Sequence, residues 1–413
     1  MTIRIALRGA APAAARLAAA RLAGAAALAT ALAVSGAQAQ ELRIGYLVTL
    51  SGPTAAIGHD VVKGWKLGLE HEGWMKDGDK LAGVPLKMFY GDDQLKPDVG
   101  IKEIDKFIKQ DKVHIVAGFQ WSHVMLPAKP LLVDAKIIMM SNIAGATPLA
   151  GKDCTPYFIS TSWNNDQTAM VSGTLLNEDK IQTVYTAAPN IQAGKDVING
   201  FRAVYKGKEI GQTLFKSGES DFQADISKIR AAKPEAVFLF APGSMGIAFL
   251  KQWAAAGANK EIKLYTLFVV DSMSLPVIGE AALGTFHTNY WDISSTSAVN
   301  QRFIKEFVAK NGSMPSHFAA QAYDGPRLIA AALKRTGGKF DDPLAFMKVL
   351  RHTPYDSIRG PYTYNVNGFP IENFYKREVA KGSDGKPQIV TRGIVFKDNK
   401  DPYWQDCPEA NRL

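Results

Sequence analysis

The chain has 413 residues, of which 46% are hydrophobic, and its 48 basic and 39 acidic side chains give a net charge of +9 at pH 7. Lysines are interspersed with Asp and Glu, whereas nucleic-acid-binding surfaces show clustered basic residues, so the charge pattern argues against a nucleic-acid partner. Single hydrophobic cores stop growing near ~250–300 residues, so a chain of this length is expected to have more than one.

Residues 1–39 have the pattern of a cleaved secretory signal peptide. Four arginines precede or flank an apolar run over residues 22–34, and Ala37-Gln38-Ala39 offers the small residues of a cleavage site. The run is too short for a membrane span of ~20 residues. No cysteine follows the cleavage site, so no lipid anchor is predicted. We therefore predict an exported protein that begins at Gln40 and carries a charge of about +5, because the leader holds four of the arginines and no acid.

Short apolar runs alternate with amphipathic helical segments over most of the mature chain. Helices are predicted between the strands, for example at 97–110, 193–205 and 222–232. The predicted strands are residues 42–49, 85–90, 113–118, 136–140, 181–187, 209–215, 236–240 and 263–268. This alternation predicts two α/β lobes, separated near residue 160, with parallel sheets and helices on both faces.

The last third follows a different pattern. Helices are predicted at about 301–310 and 317–336. They precede a predicted hairpin between residues 362–365 and 374–380, with its turn at Asn367-Gly368.

The chain contains two cysteines, Cys154 and Cys407. In an oxidising compartment such a pair favours one disulfide, and the alternative is two unpaired thiols. The bond would close a loop of roughly 250 residues, and long loops are those where a crosslink removes most entropy from the unfolded chain.

Ligands of open parallel sheets bind beyond the carboxyl ends of the strands. Polar loops of small residues follow the predicted strands at 50–54, 91–94, 118–123 and 141–147. Free backbone N–H groups at a helix start, beside a Ser hydroxyl, suit a carboxylate, and Ser122 fits this role. A serine that only caps its helix remains an equal alternative.

Signatures of catalysis are lacking in the sequence. It contains no G-x-S-x-G, G-x-x-x-x-G-K-[ST], G-x-G-x-x-G or H-E-x-x-H motif. The seven histidines show no metal-ligand spacing, and Asp92-Asp93 are expected to end a strand and cap a helix. We therefore predict a binding protein without catalytic activity, cofactor or metal.

Four segments, taken together and in this order along the chain, resemble one protein family. Residues 42–70, 90–132, 221–253 and 319–335 resemble periplasmic solute-binding proteins of ABC importers, in the branched-chain amino acid (Leu/Ile/Val-binding) group. The resemblance covers essentially the whole mature chain. It implies a monomer in the periplasm that delivers a small molecule to a membrane permease.

The same resemblance implies the type I periplasmic binding protein fold. This α/β fold has two Rossmann-like lobes, with parallel sheets flanked by helices, joined by a three-strand hinge. The N-terminal lobe would be residues 40–160 plus 290–367, and the C-terminal lobe residues 161–289 plus 368–413.

Family positions can be transferred to this chain residue by residue. In amino acid-binding members a serine loop and the next small-residue loop hold the ligand carboxylate, and these match Ser122 and residues 142–145. Two tyrosines usual in the family are replaced here by Ile57 and Ile191. The acid that usually pairs with the ligand ammonium is absent from the matching apolar stretch, and Asp271 comes a few residues late.

These departures favour a carboxylate that lacks an α-amino group, because a buried ammonium without a partner costs several kcal/mol. We predict an aromatic or branched aliphatic acid, whose body lies against Trp121 and Phe268 and whose carboxylate is held by Ser122. A branched-chain amino acid paired with Asp271, and a ligand sensor of the same fold, are the alternatives. The candidate binding residues are Ile57, Gln94, Trp121, Ser122, His123, Asn142, Ala144, Gly145, Ile191, Phe268 and Asp271.

Overall fold

The computed structural model of the chain describes Met1, residues 40–360 and residues 363–413. Residues 2–39 of the predicted signal peptide, and Tyr362 at the predicted start of the hairpin, lie outside the described residues. Within the described ranges, no helix is both long and apolar enough to span a bilayer.

Six strands form the first sheet, in the order β2-β3-β1-β4-β5-β6. All neighbouring pairs are parallel except β2 with β3. Strand β1 is buried except at Arg43, which explains its otherwise apolar sequence, because a parallel strand is covered on both faces. The strands are β1 Leu42–Val48, β2 Lys80–Leu81, β3 Val84–Asp92, β4 Ile115–Gly118, β5 Ile138–Ser141 and β6 Phe158–Ser160.

The second sheet has the order β12-β13-β11-β10-β9-β7-β8, and β14 pairs with β13. Its five strands from β7 to β11 are parallel, whereas β13 runs antiparallel to β11, β12 and β14. The strands are β7 Thr183–Pro189, β8 Lys208–Phe215, β9 Ala236–Phe240, β10 Lys263–Leu267, β11 Phe286–Asn289, β12 Thr363–Tyr364, β13 Pro370–Lys381 and β14 Pro387–Asn399.

Eleven α-helices in the described residues surround the two sheets. They are α1 Ala55–His71, α2 Pro97–Lys109, α3 Ser122–Asp134, α4 Asn165–Glu178, α5 Gln192–Val204, α6 Gln223–Ala232, α7 Ser244–Ala255, α8 Leu275–Ile278, α9 Ala298–Asn311, α10 His317–Thr336 and α11 Pro343–Arg351. The predicted mixed α/β fold with two lobes of parallel sheet is therefore confirmed.

Among the described strands and α-helices, seven were not predicted from the sequence, namely β2, β6, β11, β14, α4, α8 and α11. The predicted turn at Asn367-Gly368 is present, and Gly368 has the positive φ of 84° that such a turn requires. The strand before it is only the two residues of β12, and the long partner of β13 is β14 instead.

The order of elements shows that the chain leaves the first sheet at residues 161–164 and the second sheet at residues 290–297, and that it joins the second sheet again at β12, after α11. After the second passage, α10 returns to pack on α1 of the first lobe. A Cβ atom at Gly64 would lie 2.1 Å from the carbonyl oxygen of Ala319, so this close helix packing requires glycine. The exact lobe boundaries stay a prediction.

The C-terminal tail does not stay with the second sheet. A disulfide joins Cys154 to Cys407, which are 253 residues apart in the sequence. The Asn411 side-chain amide also donates to the Cys154 carbonyl oxygen over 3.0 Å. The tail beyond β14 therefore contacts the segment before β6. The assignment of residues 368–413 to the C-terminal lobe stays a prediction.

A buried charge cluster joins the two lobes beside the passages. The Arg359 guanidinium lies 3.2 Å from an Asp324 oxygen on α10 and 2.8 Å from a Glu372 oxygen on β13. The three side chains are at most 3% exposed. Within this cluster, one cation faces two carboxyl groups, and burial raises the pKa of Glu372 to about 8.

This raised pKa predicts a stability effect with a definite sign. Between the unfolded pKa of Glu, about 4.3, and the folded pKa of about 8, the folded protein keeps a proton that the unfolded chain releases. Stability conferred by protonated Glu372 is thus lost as the pH rises through this window. We expect Glu372→Gln to remove this loss. The melting temperature of the variant minus that of the wild type should therefore become more positive from pH 5 to pH 8.

Thermal unfolding of both proteins across this pH range tests the expectation. Glu378→Gln is the matched control, because Glu378 lies on the same strand in a partly exposed pair with Arg392. A melting-temperature difference for Glu372→Gln that stays constant with pH would contradict the prediction.

Candidate functional site

The two sheets have the same strand order, and this order predicts where a ligand crevice lies in each. Numbered along the chain, the five parallel strands of each lobe follow the order 2-1-3-4-5. In such sheets ligands bind where the order reverses, between the first and third strands. These points are the ends of β1 and β4 in the first sheet and of β7 and β9 in the second.

A small cavity of about 30 Å³ lies at these strand ends. Pockets that hold small molecules generally measure about 300–1,000 Å³, so a ligand would require its walls to move apart. Its walls are formed by Ile57, Gln120, Trp121, Ser122, Ile143, Ala144, Trp163, Asn165, Ala193, Phe240, Pro242, Phe268 and Phe318. The wall therefore combines residues of both lobes and of the passage between them, and we call this cavity the interlobe pocket.

The polar part of the wall is built around Asn165, the first residue of α4. Its amide nitrogen donates to the Ser122 hydroxyl oxygen and to an Asp196 carboxylate oxygen, each over 3.0 Å. Its carbonyl oxygen accepts from the Trp163 indole over 3.1 Å. Both amide hydrogens and the carbonyl are thus engaged, which fixes the orientation of the Asn165 side chain.

This arrangement determines what Ser122 can offer to a ligand. Its oxygen already accepts from Asn165, and no acceptor for its hydroxyl hydrogen is found among residues 40–360 and 363–413. Ser122 also begins α3, where the first backbone N–H groups have no partner within the helix. The hydroxyl and the helix start together form a site for a carboxylate.

Asp196 supports this polar group from α5. One of its oxygens accepts from Asn165, and the other accepts from the Gln192 amide over 2.7 Å. Burial raises the pKa of Asp196, whereas these hydrogen bonds lower it. The carboxylate therefore serves as an acceptor that holds Asn165 against Ser122.

Gln120 and Trp121 hold the loop that follows β1. The Gln120 carbonyl oxygen accepts from the Thr49 backbone N–H and its amide donates to the Thr54 carbonyl oxygen, both over 3.2 Å. The Trp121 indole donates to the Thr49 hydroxyl over 3.1 Å. These side chains thus use most of their hydrogen-bonding capacity within the protein.

The rest of the wall is aromatic and aliphatic. Trp163 and Phe268 stack with their ring centroids 4.2 Å apart, and Phe318 lies 6.1 Å from Trp163. Phe268 follows β10 with a φ of 56°, a left-handed conformation that is costly for a bulky residue. Such strained residues concentrate at functional sites, and here the strain accompanies the stacking of the ring on Trp163.

Residues of both lobes meet at the mouth of the pocket. The Ser244 hydroxyl, at the start of α7, donates to the Pro53 carbonyl oxygen over 2.8 Å. Pro53 lies in the loop after β1, so this bond joins the two lobes across the cleft.

Five of the predicted binding residues line the interlobe pocket, namely Ile57, Trp121, Ser122, Ala144 and Phe268. The other six do not lie in its wall, and each has a structural reason.

Three of these six belong to the first lobe and have partners elsewhere. Gln94 is exposed in a turn, where its backbone N–H donates to Asp92. The His123 ring contacts the Leu95 carbonyl oxygen at 3.4 Å. Asn142 is buried and accepts from the Gly118 N–H while its amide donates to Thr161, so it ties the ends of the first-sheet strands together.

The remaining three support or lie behind the wall. A Cβ atom at Gly145 would lie 2.2 Å from the Trp163 carbonyl oxygen, so its loop needs glycine for close approach. Ile191 precedes the first residue of α5, and Ala193 takes the lining position.

The position of Asp271 affects ligand chemistry most. Its carboxylate accepts from the backbone N–H groups of Met273 and Ser274, over 2.9 and 2.7 Å, and lies 3.6 Å from the His317 ring. Burial raises the pKa of Asp271 and lowers that of His317 well below 6.5. The acid therefore faces the protein interior and not the pocket.

Asn165 is the main pocket residue that the sequence reading missed, together with Gln120, Phe240 and Phe318. A local signal for helix α4 exists, because Asn164 is followed three residues later by Gln167, whose backbone N–H donates to the Asn164 side chain over 3.2 Å. This spacing is typical of a helix start.

Comparison with known proteins agrees with this fold. The model of the periplasmic binding protein family matches residues 41–386. "Leu/Ile/Val-binding protein homolog 6" of Brucella melitensis is 27% identical over 365 residues, covering 86% of this chain and 91% of that protein.

Solved structures are similar over nearly the whole length. A solute-binding protein of an ABC transporter from R. palustris, in complex with benzoate, has a TM-score of 0.82 at 26% identity and covers 88% of this chain and 99% of its own. One from Rhodopseudomonas palustris BisB5, in complex with 3,4-dihydroxybenzoic acid, has a TM-score of 0.80 at 28% identity, with the same coverage. A leucine-binding protein of Thermotoga maritima, with 17% identity and a TM-score of 0.73 over 86% of this chain and 98% of its own, shares the fold.

Proposed function

The chain belongs to the periplasmic binding protein family, and from this membership we propose that its interlobe pocket binds an aromatic carboxylate and delivers it to the permease of an ABC importer. The observation that carries the proposal is the free hydroxyl of Ser122 at a helix start, set in an otherwise aromatic and aliphatic wall.

The carboxylate of the ligand would accept from the Ser122 hydroxyl and from the first N–H groups of α3. A hydrogen bond to a charged group contributes about 1.5–3 kcal/mol. The partial positive charge at a helix start adds to this attraction. Asn165 would position the hydroxyl by occupying its acceptor side.

The ring of the ligand would pack against Trp163 and Phe268, which stack on each other and both line the pocket. Aromatic pairs contribute about 0.5–1.5 kcal/mol beyond their buried area. Ile57 and Ile143 would cover the ring elsewhere.

An amino acid fits this wall less well. None of the pocket-lining residues in the described ranges is Asp or Glu, and Asp271 lies behind the wall with other partners. An ammonium group would be buried without a counter-charge, at a cost of several kcal/mol. The solved structures in complex with benzoate and 3,4-dihydroxybenzoic acid support the same ligand class.

The proposed role is to bind the ligand in the periplasm without converting it chemically. The protein would act as a monomer whose two lobes close around the ligand. Such closure would use the three passages between the lobes as a hinge. The permease would be the protein partner, and the site would need no cofactor or metal.

Replacing Ser122 tests the proposal directly. We expect calorimetric titration to show that benzoate binds to the wild type and that leucine does not. Ser122→Ala should weaken benzoate binding about 10- to 100-fold, because it removes a hydrogen bond to a charged group.

Ser227→Ala is the control, since the Ser227 hydroxyl bonds only within its own helix α6, to the Gln223 carbonyl oxygen. Tight binding of leucine together with no binding of benzoate would overturn the proposed ligand class. Equal benzoate affinity in Ser122→Ala and wild type would overturn the role of Ser122.

A further inference from the structure

The end of β14 and the tail beyond it contact the helix that carries Asn165. The Gln167 side-chain amide donates to the Asn399 carbonyl oxygen over 3.0 Å and to the Asn399 side-chain oxygen over 2.7 Å. The Tyr403 hydroxyl donates to an Asp166 carboxylate oxygen over 2.6 Å. Asn165, Asp166 and Gln167 are the first three residues of α4, so the end of the chain holds the start of this helix.

The tail is also fixed to another part of the chain. The disulfide between Cys154 and Cys407 attaches it to the segment before β6, a strand of the first sheet. Helix α4, in contrast, packs against α5 and against β10, β11 and β13 of the second sheet. The bond from Tyr403 to Asp166 therefore connects a segment that is covalently attached beside the first sheet to a helix that packs on the second.

A second set of hydrogen bonds leads from Asp166 to the polar part of the pocket wall. The other Asp166 oxygen accepts from the Thr147 hydroxyl over 2.7 Å. The Thr147 backbone N–H donates to an Asp196 oxygen over 3.2 Å, and the same oxygen accepts from the Asn165 amide over 3.0 Å. Asn165 in turn donates to the Ser122 hydroxyl oxygen. Asn165 is thus held both by the helix that it begins and by these bonds.

Tyr403, Asp166 and Thr147 do not line the interlobe pocket, so a ligand there would reach them only through Asn165. Asp166 is 3% exposed. Its burial raises the pKa of the carboxyl group to about 6, while the bonds from Tyr403 and Thr147 lower it. At pH 8 the group is therefore an ionised acceptor. A buried charge that loses a hydrogen-bond donor is costly, so removing a donor is expected to shift the start of α4.

We propose that Tyr403 and Asp166 are positioning residues of the interlobe pocket. By holding the start of α4, they place the Asn165 amide against the Ser122 hydroxyl. This inference rests on the proposed function, because the Ser122 hydroxyl is the group that would bind the ligand carboxylate. It gives the C-terminal tail a part in ligand binding, although no residue of the tail lines the pocket.

Calorimetric titration with benzoate at pH 8 tests the effect on binding. Tyr403→Phe removes only the hydroxyl and should weaken benzoate binding about 3- to 10-fold, the range of one hydrogen bond. Asp166→Ala should weaken binding at least as much, although removing a negative charge near the ligand carboxylate would by itself strengthen binding. Asp166→Asn should restore the affinity, because its amide oxygen can accept from Tyr403 and its amide nitrogen can donate to the Thr147 hydroxyl.

Tyr205→Phe is the matched control. The Tyr205 hydroxyl donates to the Ile181 carbonyl oxygen over 3.0 Å, at the far end of α5 from the lining residue Ala193. This variant should leave the benzoate affinity unaltered.

Hydrogen exchange of the backbone N–H groups of residues 165–169 tests the positioning without any ligand, because exchange reports local opening of a helix start. In the unliganded proteins, we expect faster exchange in Tyr403→Phe and Asp166→Ala than in the wild type, Asp166→Asn and Tyr205→Phe.

The two measurements separate this inference from the function on which it rests. Unchanged exchange in Tyr403→Phe and Asp166→Ala would overturn the inference, whether or not benzoate binds. Unchanged or higher benzoate affinity in these two variants would overturn it as well, and so would an Asp166→Asn protein that binds as weakly as Asp166→Ala. If the wild type does not bind benzoate, the proposed function is overturned, and exchange alone then decides whether Tyr403 and Asp166 position Asn165.

Discussion

Asn165→Asp is expected to abolish binding of an aromatic carboxylate to this protein. The substitution changes one amide nitrogen to an oxygen and hardly alters volume. The new carboxylate would stand where Asn165 now donates to Ser122 and Asp196, each at 3.0 Å. Two acceptors would lose their donor, and a negative charge would lie next to the charge of the ligand.

The size of the effect follows from electrostatics. Two like charges 4 Å apart repel by about 4 kcal/mol at an effective dielectric constant of 20. We therefore expect the dissociation constant for benzoate at pH 8 to rise about 1,000-fold or more, as measured by calorimetry. Lowering the pH should restore part of the affinity, because protonation of the introduced carboxyl removes the repulsion.

Asn259→Asp provides the matched control, since Asn259 is exposed and does not line the pocket. It makes the same chemical change in the same lobe and should leave affinity unaltered. An Asn165→Asp protein that binds benzoate within tenfold of the wild type would show that Asn165 does not position Ser122.

Removing the disulfide should give the largest loss of stability. Cys154 and Cys407 close a loop with a sequence separation of 253. The chain-entropy model gives a stabilisation of about 5 kcal/mol for a loop of this length, because the crosslink restricts the unfolded chain. We expect the double variant Cys154→Ala and Cys407→Ala to lose most of this amount from its free energy of unfolding, measured with a chemical denaturant.

A reducing agent supplies the internal control. It should lower the stability of the wild type towards that of the double variant and leave the double variant unchanged. Equal unfolding midpoints for wild type and double variant without reductant would mean that the tail is held by its other contacts alone.

Much of the fold could be predicted because strand and helix patterns are local. Strand β1 and helix α10 are evident from the spacing of their own residues. Strand β14 was missed because its residues are mostly half-exposed and mixed in character, so their pattern is weak. Its position depends on pairing with β13, which the sequence alone does not show.

The candidate site could be predicted only in part, for a similar reason. Ser122 and Phe268 follow strands directly, and strand ends mark the crevice of a parallel sheet. The importance of Asn165 comes from the passage between lobes, which brings the start of α4 to the start of α3. Asp271 lies close to Phe268 in sequence, yet its bonds to Met273 and Ser274 turn it away from the pocket.

The hydrogen bond between Ser244 and Pro53 bears on the rate of ligand release. A ligand bound between walls from both lobes would leave after this bond breaks and the cleft widens. Its residence time would then depend on how often the protein opens, as well as on how well the pocket fits. Contact with a permease that favours the open form could therefore speed unloading without altering a single residue that touches the cargo.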